Sequence, residues 1–112
     1  MPEQSFIETN AHRWQPFDLI SGTFVQPLAE PVPQGSIHKL RMVAGTVIPV
    51  HQHPVDEYVY VLSGTVQTGE QTCEAGTFWV TPAHTRNGPH CAMTDVELLT
   101  IRLGAMGEFE PV

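Results

Sequence analysis

His51, His53 and Glu57 stand in a pattern that could gather one metal ion. On an extended chain residues two apart point to the same face, so the two histidines share a side. Glu57 has the same odd parity, and the Pro54-Val55-Asp56 break lets the chain turn before EYVYVL begins. Two imidazole nitrogens and one carboxylate oxygen suit a single divalent first-row ion: Fe, Mn, Ni, Zn or Cu. A His-x-His pair is by itself a common surface feature. Here Pro49, the flanking Gly45 and Gly64, and the apolar run after Glu57 all favour the metal reading. The chain has no G-x-S-x-G, no phosphate-cradling glycine loop and no Cys-x-x-Cys.

The elements that must carry these residues read as short strands. Ten prolines and nine glycines in 112 residues argue for many turns and against long helices. Phe24 to Leu28 is expected to be a first strand, ended by EPVPQG. Ser36 to Ala44 alternates, Leu40 and Met42 against Lys39 and Arg41, and His38 shares the apolar parity and is expected to face inward. Its simplest role is a core histidine with one hydrogen bond; a pocket role is the alternative. Glu57 to Leu62 is dense in β-branched and aromatic residues and is closed by Gly64. Thr65 to Thr68 and Gln71 to Glu74 flank Gly69-Glu70, a pair suited to a two-residue hairpin turn. Thr77 to Thr81, Pro89 to Thr94 and Val96 to Leu103 complete the set. Strands recurring at this spacing suggest a sandwich or barrel.

At this length the chain is one domain, with an arm and first strand over residues 1–35 and a barrel over 36–112. Phe6, Ile7, Trp14, Phe17 and Ile20 are large apolar anchors in an otherwise aperiodic arm, expected to pack over the barrel or across a partner copy, so a homodimer is expected. The net charge of −7 works against nucleic acid and against an anionic membrane surface. With no apolar stretch of membrane length and no visible signal segment, a cytoplasmic location is the default. Cys73 and Cys91 then read as reduced thiols.

The segment from Gly45 to Gly64 resembles the first motif of the cupin family, G-x5-H-x-H-x3-E-x6-G, with every fixed position met. The second cupin motif, G-x5-P-x-G-x2-H-x3-N, is met only by Gly76 and Pro82: His84 stands where that motif has glycine, and Asn87 where it has its histidine ligand. The resemblance implies an all-β jelly-roll barrel, one transition metal per chain and a small-molecule ligand. It implies His51, His53 and Glu57 as ligands and leaves the fourth open between His90, Asn87 and no protein ligand, with His84 a further candidate. Trp79, of inward parity, and Arg86, near the mouth, are pocket candidates beside Asn87 and His38. As in cupin dioxygenases, the implied reaction is oxygenation of an enolisable or phenolic compound, Glu57 binding the metal or acting as a general base. The other class is a metal-binding sensor module, like the cupin domain of certain anti-sigma factors.

Overall fold

The computed structural model describes residues 3–104 and 108–112, and among these there are ten strands and no helix. They are β1 (Gln15–Pro16), β2 (Thr23–Ala29), β3 (Ser36–Met42), β4 (Val47–Ile48), β5 (Glu57–Ser63), β6 (Thr65–Thr68), β7 (Gln71–Glu74), β8 (Phe78–Thr81), β9 (His90–Ala92) and β10 (Val96–Arg102). One sheet has the order β1-β2-β3-β10-β5-β8 and the other β4-β9-β6-β7. Every pairing is antiparallel, and the two sheets form a jelly-roll barrel. The strands expected at 89–94 and 96–103 are shorter in the structure, because Pro89 has no N–H to pair and the chain bends at Met93 and Thr94 and again after Arg102. No described helix is long and apolar enough to cross a membrane.

Alternation along the strands creates the interior. In β10, Val96, Leu98, Thr100 and Arg102 are buried while Glu97, Leu99 and Ile101 are only partly so. Met42, Val61, Val66 and Val96 are fully buried and anchor the core with Ile48, Val59, Cys73, Ala92 and Leu98. Each such aliphatic side chain contributes roughly 1.5–3 kcal/mol. Gly64 moves the chain from the six-stranded sheet to the four-stranded one at a positive φ of 83°, and a Cβ there would strike the Asp95 carbonyl, so only glycine serves. Gly69 opens the β6–β7 hairpin, also at positive φ, and both cysteines are free.

The arm does pack over the barrel. β1 adds to the sheet beside β2, Trp14 lies against Arg41 (4.2 Å) and Lys39 (5.4 Å), and buried Gln26 donates to the Thr9 carbonyl at 2.7 Å. Phe17 and Ile20 reach inside to the cavity described next, whereas Phe6 stays exposed.

Candidate functional site

Register across the six-stranded sheet lays the interior out in rows. Thr81, Glu57, Arg102 and Ser36 lie side by side; the next row is Trp79, Val59, Thr100 and His38; below it come Val61, Leu98, Leu40 and Val25. The barrel therefore runs from a polar mouth to an apolar floor. Opposite the polar row stand three imidazoles from the other side: His51 and His53 follow β4, and His90 begins β9. The His51 ring lies 4.8 Å from that of His53 and 5.5 Å from that of His90. All three, with Glu57, Arg102, Thr100, His38 and Trp79, line one cavity of about 60 Å³. Phe109 closes it, packing on His53 at 4.9 Å and His51 at 5.5 Å.

Each imidazole is oriented by its Nδ1. His51 Nδ1 donates to the Pro49 carbonyl at 2.8 Å and His53 Nδ1 to the Glu108 carbonyl at 2.7 Å, which fixes the proton on Nδ1 and leaves Nε2 a lone-pair acceptor. His90 Nδ1 pairs with the Thr68 hydroxyl at 3.1 Å. His53 Nε2 is buried without a hydrogen-bond partner, although Glu57 Oε2 is 3.5 Å away. The distance qualifies as an ion pair only if the ring is protonated. Burial holds His53 below the ordinary imidazole range, so two acceptors face one another there.

Glu57 is otherwise engaged. Its Oε2 accepts from Arg102 Nε (3.0 Å) and Nη2, and its Oε1 accepts from Asn87 Nδ2 at 3.0 Å. Burial pushes this carboxyl up, but the Arg102 charge and hydrogen bonds, with His53 and Asn87, outweigh it and keep the group below its ordinary value. A carboxylate held this way is a weak base and has little lone-pair capacity left for an ion. Burial also lowers His38 and His90, each to about 4, so both are neutral at pH 7.

The sequence candidates separate accordingly. His51, His53, Glu57, His90, Trp79 and His38 meet at the cavity; His38 makes a single hydrogen bond, to Ser36 Oγ at 2.7 Å. Asn87 is buried but serves as an amide donor to Glu57 and lies 3.3 Å from His51 Nε2. Arg86 is exposed beside an outer groove, and His84 sits on the rim at a positive φ of 64°, bonded to Glu110. Arg102, Thr100 and Phe109 were not among the candidates. The even parity of β10 would have flagged the first two; nothing in the sequence marks Phe109. Among the described residues no three His, Cys, Asp or Glu side chains are gathered as an ion would hold them. By donor chemistry the three imidazoles, with their outward Nδ1 partners and the orphaned His53 Nε2, suit a first-row ion, while Glu57 does not.

The ChrR cupin-like domain family matches residues 2–107 of the chain. No curated protein matches it by sequence. Among solved structures, an RmlC-like cupin from Ralstonia eutropha superposes with a TM-score of 0.78 at 24% identity, over 91% of this chain and 69% of that one. A putative acetylacetone dioxygenase from Methylibium petroleiphilum gives 0.81 at 16% identity, over 100% and 88%. The anti-sigma factor ChrR of Rhodobacter sphaeroides, in complex with SigE, gives 0.70 at 19%, over 83% and 49%. At such identities these likenesses establish the fold.

Proposed function

Because the chain belongs to the family of ChrR cupin-like domains, we propose that it is a metal-dependent cupin acting on a small organic molecule, with dioxygenase-type chemistry on an enolisable or phenolic substrate. The observation that carries this reading is His53 Nε2, a buried acceptor without a partner whose nearest polar neighbour is another acceptor, Glu57 Oε2. A cation would satisfy His53 Nε2, and leaving a buried polar atom unpaired costs about 1–3 kcal/mol.

His51, His53 and His90 would hold the ion. When bound, it supplies Lewis acidity at its open positions and lowers the proton affinity of a coordinated substrate oxygen. The chain's own residues do the rest. Pro49, Glu108 and Thr68 fix the imidazole rings through Nδ1. Arg102 and Asn87 keep Glu57 ionised and fixed. Phe109 shields the rings from water. Replacing His51 and His53 together by alanine should abolish stoichiometric metal binding, measured by elemental analysis, while circular dichroism shows the barrel intact. Retained metal would remove the ion from this site. Dioxygen uptake against a panel of small diketones and phenols then tests the chemistry.

The small cavity, about 60 Å³, supports a second reading, a sensor module that binds its ion without turnover. A metal-loaded protein inert across that panel would favour it. We also propose a homodimer. Phe78, Val80, Tyr60 and Leu62, exposed by 56, 47, 42 and 39%, form an uncharged outer face on β5 and β8, with Tyr58 and Phe78 stacked at 6.4 Å. Faces of this kind mark interfaces. Sedimentation at micromolar concentration should give twice the chain mass, and Phe78→Lys should return it to monomer.

A further inference from the structure

We propose that the inner cavity selects small uncharged oxygen-bearing molecules and that Arg102 anchors the ligand oxygen, with Glu57 as its fixed counter-ion. This rests on the reading of the cavity as a ligand site, but not on the ion.

A guanidinium has five N–H donors. Arg102 directs Nε and Nη2 to Glu57 Oε2, and its Nη1 has no hydrogen-bond partner among the described residues. Arg102 is buried and lines the cavity, so Nη1 is the guanidinium nitrogen that the pair with Glu57 leaves over for a ligand there. Thr100 lies two residues earlier on the same strand face, directly opposite His38, and both line the cavity as well. Below them on the same sheet face lie the hydrocarbon side chains of Leu98, Leu40 and Val25, and Ile20 also lines the cavity. The cavity thus offers donors to a single oxygen near its mouth and cover for a short hydrocarbon at its floor.

Charge decides which oxygen. Glu57 already cancels Arg102, with which it is paired through Nε and Nη2. A carboxylate entering here would be a second negative charge beside Glu57, buried and uncompensated, whereas a carbonyl accepts from Nη1 without adding charge. Arginine in an apolar pocket would ordinarily suggest an acid as ligand; the paired Glu57 reverses that expectation. The cavity of about 60 Å³ has room for about four to six water-sized groups, which limits the ligand to a short ketone, aldehyde or alcohol.

The test uses metal-free protein, treated with chelator, at pH 7, with 2-butanone and propionate as size-matched probes. Titration followed by side-chain and methyl NMR shifts should show 2-butanone perturbing Arg102 and the Val25, Leu40 and Leu98 methyls at millimolar concentration. Propionate should bind at least 10-fold more weakly. Arg102→Met should weaken 2-butanone at least 10-fold. Thr100→Val, which preserves shape, should weaken it about 3-fold and keeps the test decisive where Arg102→Met fails to fold. Propionate binding as well as 2-butanone, no saturable shift with 2-butanone, or unchanged binding in Thr100→Val would each overturn the proposal. Metal content is measured separately, so failure of the ion reading is distinguishable from failure of this one.

Discussion

Lowering the pH from 7 to 4 is expected to destabilise the metal-free protein by about 5–6 kcal/mol through His38 and His90 alone. Each binds its proton at about 4 when folded and near the ordinary imidazole value of 6.5 when unfolded. Between those values the unfolded chain holds more protons, so stability falls as pH falls, by about 1.4 kcal/mol per pH unit for each group. The loss begins near pH 6.5, slows as the pH passes about 4 and is complete about one unit below that. His53, also lowered, adds to it in the same direction. Domains of this size have only about 5–15 kcal/mol in hand, so the protein should unfold in mild acid. Urea titrations at half-unit steps give the slope directly. His38→Leu should remove close to half of it; an unchanged slope would mean that His38 is not the buried neutral imidazole described.

Arg102→Met is expected to destabilise the protein by about 3–5 kcal/mol at pH 7, more than any single surface change, because it strands the Glu57 carboxylate in the barrel. Asn87 alone would remain to satisfy it. The double variant Arg102→Met, Glu57→Gln should recover most of the loss, since removing both charges removes the stranded one. The single variant also has a pH signature. Without Arg102 the burial effect on Glu57 is unopposed, its carboxyl shifts upward, and the deficit relative to wild type should shrink as acid neutralises it. Full destabilisation persisting in the double variant would show that packing of the arginine stem, not the ion pair, is what matters there.

How far the sequence discloses this architecture depends on which residues carry it. Strand alternation is local, so His38, Val59, Trp79 and the β6–β7 hairpin are legible from parity and turn chemistry. The H-x-H-x3-E spacing brings its three side chains to one cavity. It says nothing of what Glu57 meets there, because Arg102 is 45 residues away and arrives by strand pairing. Alternation over Val96 to Arg102 contained the signal, but an arginine at the end of a strand reads as solvated. Asn87 looks like a lost ligand and serves instead as an amide donor, a role decided by Glu57 standing 3.0 Å from it. Phe109 reaches the histidines through the Gln52–Glu110 bridge, a long-range pairing with no local pattern.

Trp79 stands between two spaces: it lines the inner cavity and also the outer groove that contains Arg86. Its ring stacks near His90, with centroids 5.7 Å apart, and its Nε1 is enclosed without a hydrogen-bond partner. Indole emission depends on the polarity around the ring and on neighbouring quenchers, so this residue is a built-in optical sensor. The other tryptophan, Trp14, lies outside under Arg41 and Lys39 and should remain indifferent to events in the barrel. The difference spectrum between native protein and Trp14→Phe would then isolate an internal reference, leaving Trp79 to follow the filling of the barrel in real time without a label.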